Sequence, residues 1–200
     1  MAGDRIVLAS ASQVRSWILE NAGLEFDVDP ADVNEFGIKK NLSGQGTAAK
    51  VIAVTLAEAK AQVVSTRHPE AWIIGADQVL VFEDQIYDKP ADIDEAASHL
   101  RRFRGRYHDL ISAVCVVRKN NIIWHHSETV RLHVREYSDV FLEEYFSKTG
   151  NSILDSVGAY RLEGLGALLF SKVEGDYFSV LGLPLLPLLG FLREQGVISS

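Results

Sequence analysis

The chain has 200 residues, 47% of them apolar and 24% charged, and its 20 Lys+Arg against 27 Asp+Glu leave a formal net charge of −7. That is the composition of an ordinary soluble globule, long enough to bury a core of its own. The acid excess argues against a nucleic-acid polymer or an anionic membrane as partner, since both call for a broad cationic face, but it leaves room for one small anion.

The single cysteine, Cys115, excludes an internal disulfide framework and a cysteine zinc site. It lies in the apolar run 110–117 and reads as a buried strand thiol in a reducing, cytoplasmic compartment. The longest apolar run, 180–192, contains Pro184 and Pro187 and falls short of the ~20 residues that span a bilayer. The stretch 6–9 is too short for a signal-peptide core.

In chain order, Arg5 to Ala9 reads as a buried strand. Ser12 caps a helix with Val14, Trp17 and Ile18 on one face, ending at Gly23. Residues 26–45 hold acids and glycines with little periodicity and read as a loop with an uncertain strand. Thr47 opens a helix to about Ser65, with Ile52, Leu56, Ala59 and Val63 recurring at helical spacing. Residues 71–82 look like a strand interrupted at Gly75-Ala76-Asp77.

Asp92-Ile93-Asp94-Glu95 is a capping box for a helix ending near Phe103. Two long strands, 107–118 and 122–135, flank the turn Lys119-Asn120-Asn121. Ser138 caps a helix to Lys148, residues 150–166 read as a loop, and 167–173 as a strand. The last helix enters at Leu183-Pro184 and stops at Gly196. Strands and helices alternate and then give way to a long hairpin, which predicts α/β with a mixed sheet.

Ser10-Ala11-Ser12-Gln13-Val14-Arg15 spans a strand-to-helix junction, where free backbone N–H groups attract anions. Arg15 either reaches back to such an anion or is simply solvated. Asp77, after the apolar run 72–74, is either a turn aspartate or a metal ligand or base. Lys89 before Pro90 is extended and could project into a cleft, although most lysines are solvated. Lys60 lies by the apolar face of its helix, where a packed stem with the head in water is the default. Glu35 in its loop says nothing alone. The histidines lack metal-ligand spacing, His125-His126 pointing to opposite faces of a strand. There is no G-x-G-x-x-G after the first strand, no P-loop and no G-x-S-x-G.

Taken together and in order, several motifs resemble the Maf family of nucleotide pyrophosphatases over nearly the whole chain. They are Ser10-Ala11-Ser12-x-x-Arg15, Leu56-Ala57-Glu58-Ala59-Lys60-Ala61, Gly75-Ala76-Asp77, Asp88-Lys89-Pro90, Gly158-Ala159-Tyr160, Glu163-Gly164-x-Gly166 and Val180-x-Gly182-Leu183-Pro184-Leu185. Gln13-Val14-Arg15 stands where the family usually has Pro-Arg-Arg, and Asp155-Ser156-Val157 where Asp-Lys-Ala is common.

The resemblance implies one domain over residues 1–200, an elongated mixed sheet flanked by helices, with two lobes, a central cleft and a homodimer. It implies hydrolysis of a nucleoside triphosphate to the monophosphate and pyrophosphate with Mg²⁺ or Mn²⁺. Asp77 and Glu35 match the catalytic and metal-holding acids. Ser10, Ser12, Arg15, Lys60 and Lys89 match the substrate-binding set. Val14, Gln78 and Glu163 match positions where branches differ. An apolar residue, Gln and Glu there side with 7-methyl-GTP pyrophosphatases rather than with dTTP/UTP pyrophosphatases. The other reading is a nucleotide-binding regulator of cell division with little turnover.

Overall fold

A computed structural model describes residues 5–199. Ile6–Leu8 form β1, buried throughout, and Ser12 caps α1 (Gln13–Asn21), its Oγ accepting from the Arg15 N–H. The buried face of α1 is Arg15, Ile18 and Leu19, while Trp17 is 48% exposed. The expected face of Val14, Trp17 and Ile18 obeys the same i, i+3, i+4 spacing one residue earlier. Hydropathy picked the wrong one because a buried member of the real face is an arginine.

Residues 26–45 are more ordered than a loop. They hold β2 (Asp27–Val28) and α2 (Glu35–Gly44), which Asn34 caps by accepting from Gly37 N–H at 2.9 Å. No residue of α2 is fully buried, so it carries no apolar stripe from which a helix could be read. In α3 (Ala49–Ser65) the buried face is Ile52, Ala53, Leu56, Ala57, Lys60, Ala61, Val64 and Ser65, with Ala59 and Val63 only half-buried.

The strand β3 (Trp72–Phe82) runs unbroken through Gly75-Ala76-Asp77, against the expected interruption. It pairs in parallel with β1, which pairs in parallel with β2. β4 (Gln85–Tyr87) returns antiparallel across Glu83 and Asp84, both with positive φ as a tight hairpin turn requires. The capping box opens α4 (Ile93–Phe103) as expected, Asp92 accepting from Glu95 N–H and Glu95 from Ala91 N–H. β5 (Tyr107–Arg118) and β6 (Asn121–Val134) flank Lys119 and Asn120, again both at positive φ.

Ser138 caps α5 (Asp139–Thr149). The segment expected to be a loop begins with a 3₁₀ turn, Gly150–Ile153, and a second, Leu165–Leu169, takes up the first half of the expected strand. β7 is therefore Phe170–Glu174, antiparallel to β6. The short α6 (Tyr177–Val180) precedes α7 (Leu185–Glu194).

The seven strands form one mixed sheet in the order β2-β1-β3-β5-β6-β7, with β4 on β3 beside that path. The chain divides into two compact units: the described residues up to Gln78 with Ile111–Glu128 and those from Gly182 on, and Val79–Leu110 with Thr129–Leu181. The first buries Leu8, Ile18, Ile52, Leu56, Ile73 and Leu188. It also buries Cys115, whose thiol burial pushes up. The second has an aromatic core of Phe82, Tyr87, Phe103, Tyr137, Tyr145 and Tyr160 with aliphatic neighbours. Among the described residues no helix is long and apolar enough to cross a membrane.

Candidate active site

The first unit brings its charged side chains together through one close approach. A Cβ built on Gly75 would stand 2.2 Å from the Ala57 carbonyl oxygen and 2.8 Å from Ala61 Cβ, so α3 lies directly on β3. Only glycine on the strand allows that distance, and the helix side chain it meets is the small one of Ala61. Asp77 is two residues beyond Gly75 and faces the same way along the strand. Lys60 shares the buried face of α3 with Ala57 and Ala61. The consequence is an ion pair, Lys60 Nζ to Asp77 Oδ1 at 2.6 Å, with side chains only 11% and 7% exposed.

Glu35 completes this cluster from the first turn of α2, its Oε1 lying 2.8 Å from the same Lys60 Nζ. Burial pushes the Glu35 carboxyl up, but the Lys60 hydrogen bond and charge, with the charges of Lys39 and Arg15, outweigh it and hold it below its usual range. The second oxygen of Asp77, Oδ2, is buried without a hydrogen-bond partner. An orphaned carboxylate oxygen in the interior is costly and points to a group that completes it.

Arg15 is buried, and its fork ties three segments together. Its Nε donates to the Gly182 carbonyl at 2.9 Å, and Nη1 donates to the Ala76 carbonyl at 2.9 Å and to Ser10 Oγ at 3.1 Å. Ala76 immediately precedes Asp77, so the guanidinium fixes the backbone that presents the carboxylate. Burial pulls the Arg15 pKa down, while the charges of Asp77 and Glu35 push it back up. Ser10 Oγ also accepts from the Ser12 N–H at 3.3 Å.

Gln78 Nε2 donates to Ser112 Oγ at 2.9 Å, and Ser112 is fully buried on β5. Val14 is half-buried on α1. Gly182 has φ +93°, and a Cβ there would lie 3.5 Å from Arg15 Nη2 and 3.8 Å from Gln78 Cδ.

The structure thus gathers Ser10, Arg15, Glu35, Lys60 and Asp77 in the first unit, with Ser12 as the cap beside them. Lys89 and Glu163 belong to the second unit, both exposed, Lys89 after β4 and Glu163 just before the Leu165–Leu169 turn. Sequence reading missed Ser112 as part of this framework and gave Gly75 and Gly182 only as members of motifs, without their packing roles. Small residues at 57 and 61 opposite a strand glycine were the available signal for Gly75, whereas nothing in the spacing marks Ser112.

Among the described residues no group of three or more His, Cys, Asp or Glu converges as a metal-binding set. The pair Glu35 and Asp77, with Oδ2 orphaned, nonetheless fits a Mg²⁺-like ion. Such an ion takes one or two protein carboxylates and fills its remaining positions with phosphate oxygens and water.

The family described as Maf-like protein matches residues 5–195. A relative from Granulibacter bethesdensis, named nucleoside triphosphate pyrophosphatase, is 45% identical over 98% of this chain and 99% of its own length. A Rhizobium etli relative named 7-methyl-GTP pyrophosphatase is 45% identical over 98% of each chain. A Paramagnetospirillum magneticum relative, again named nucleoside triphosphate pyrophosphatase, is 47% identical over 95% of this chain and 98% of its own.

Proposed function

We propose a function from the premise that this chain belongs to the Maf-like protein family. It is a nucleoside triphosphate pyrophosphatase, a hydrolase of acid anhydrides that releases a nucleoside monophosphate and pyrophosphate. Relatives bearing that activity in their names align with 95% or more of the chain. The observation that carries the reading is the convergence of Glu35 and Asp77 on the buried Lys60 ammonium, with Asp77 Oδ2 left to act on something else.

In the proposed reaction a water oxygen attacks the α-phosphorus, and the bond between that phosphorus and the bridging oxygen to the β-phosphorus breaks. Asp77 Oδ2 accepts a hydrogen bond from the water and takes its proton as the new P–O bond forms. Carboxylates as a class are weak bases, so holding the water in line contributes more than basicity. Lys60 turns its ammonium to the phosphate oxygens and stabilises the charge that grows on the departing pyrophosphate. Arg15 adds a fixed positive charge behind Asp77 and keeps Ser10 Oγ in place. Glu35 and Asp77 would hold a divalent ion, which when bound supplies charge neutralisation along the phosphates.

The substrate proposed is a guanine nucleotide, 7-methyl-GTP before others. Support comes from a 45% identical relative named for that substrate and from the residue types at Val14, Gln78 and Glu163. A carboxylate accepts from the N1–H and N2–H edge of guanine, and it favours the positive charge of a 7-methylated ring. Pyrophosphate release assayed with Mg²⁺ or Mn²⁺ across 7-methyl-GTP, GTP, dTTP and UTP tests this. Preference for 7-methyl-GTP supports the branch, and preference for dTTP or UTP overturns it.

A further inference from the structure

We propose that Lys60 is the resident cation of the Glu35–Asp77 pair, so that the divalent ion is admitted together with the nucleotide and not before it. The inference rests on the pyrophosphatase reading and concerns the order in which its ligands assemble.

Three observations carry it. One ammonium reaches both carboxylates, at 2.8 Å from Glu35 Oε1 and 2.6 Å from Asp77 Oδ1, and so occupies the space between them. That ammonium is buried in a face of α3 pressed onto β3, which brings it against Asp77. Around it Lys60 and the buried Arg15 already face Glu35 and Asp77, and the charge of Lys39 also acts on Glu35.

A divalent ion arriving alone would compete with the bridging ammonium for Glu35 Oε1 and Asp77 Oδ1, and would meet the positive charges of Lys60, Arg15 and Lys39. Asp77 Oδ2, buried without a partner, needs no release, and Lys60 holds only one oxygen of each carboxylate. A triphosphate changes this. Its oxygens offer the ammonium a stronger set of acceptors, and the four-carbon stem of lysine allows the head to swing to them. The swing frees Glu35 Oε1 and Asp77 Oδ1 as the phosphates supply the remaining ligands. The same side chain is then a plug before the nucleotide arrives and a phosphate ligand after it.

The test measures Mn²⁺ binding to the whole protein by electron paramagnetic resonance, with no nucleotide present. Wild type is expected to bind Mn²⁺ weakly. Lys60→Gln, which keeps a shorter donor but no charge, and Lys60→Met, which keeps the length without donor or charge, are expected to bind it at least about tenfold tighter, a change of one decade in Kd. Adding Asp77→Asn to Lys60→Gln is expected to erase the gain. Equal Mn²⁺ affinity in wild type and Lys60→Gln overturns the proposal, as does a gain that survives Asp77→Asn.

If neither lysine variant folds, wild type decides. Its Mn²⁺ affinity is expected to rise at least about tenfold on adding an α,β-methylene analogue of GTP, and an unchanged affinity overturns the proposal. The pyrophosphatase reading is tested separately, by pyrophosphate release. A protein that hydrolyses nucleotides yet shows no gain in Lys60→Gln loses only the plug.

Discussion

Gly75 on β3 stands so close to Ala57 on α3 that a Cβ at the glycine would meet the Ala57 carbonyl at 2.2 Å. This contact sets the distance between Lys60 and Asp77, because each lies on the same element as one of the two residues in contact. Gly75→Ala is expected to cost about 1–3 kcal/mol of stability through overpacking against backbone. It is also expected to lower kcat by more than about tenfold, since misplacing catalytic groups by even an ångström is costly. Chemical denaturation and steady-state kinetics on the same preparation check both. A variant with full activity would break the link between the close packing and the site.

Arg15 tests the role of a fork as against a charge. Lysine at this position keeps the positive charge but cannot serve Gly182, Ala76 and Ser10 together. Arg15→Lys is expected to lose about 2–4 kcal/mol, because buried carbonyl acceptors are left unsatisfied. Urea denaturation measures this. A loss near zero would mean that the charge alone is what Arg15 contributes.

In the second unit His108 is buried against the Tyr160 hydroxyl at 2.6 Å. Burial lowers its pKa from 6.5 to about 3, against a small opposing effect of the Asp109 charge. The sign follows from proton uptake. Above pH 6.5 neither folded nor unfolded chain holds this proton, whereas between 6.5 and 3 only the unfolded chain does. Stability therefore falls as pH drops through that window, by about 1.4 kcal/mol per pH unit from this group. His108→Gln is expected to flatten the slope of unfolding free energy between pH 6 and 4, while an unchanged slope would assign the acid sensitivity elsewhere.

Glu163 carries the proposed choice of base. Glu163→Gln is expected to lower kcat/KM for 7-methyl-GTP by about tenfold, the scale of losing one charged hydrogen-bond acceptor, with a smaller effect on dTTP. Parallel kinetics on both nucleotides measure the difference. Equal effects on the two would remove Glu163 from specificity.

Much of the fold was legible because its signals are local. Ser12, Asp92 and Ser138 each cap a helix where the sequence places one. Lys119 and Asn120 make the turn between the two long strands. The site was legible only as a set of motifs, because its defining interactions join distant residues and break hydropathy rules. Lys60 sits on an apolar face and is buried, where packing of the stem alone would leave its head in water.

Asp77 continues a strand that Gly75 and a carboxylate are expected to interrupt, since the neutralising partner lies 17 residues earlier on a helix. Glu35 looked like a loop acid because α2 is a helix without a fully buried residue. In each case tertiary pairing decided what local propensity could not.

The most direct measurement is pyrophosphate release from a nucleoside triphosphate with Mg²⁺, comparing wild type with Asp77→Asn at matched folded concentration. The account predicts monophosphate and pyrophosphate in equal amounts from wild type. For Asp77→Asn it predicts a rate lower by about 10²–10⁴-fold, the usual contribution of a positioned acid–base group, with the thermal transition retained. Wild-type turnover in Asp77→Asn, or orthophosphate in place of pyrophosphate from wild type, would contradict it.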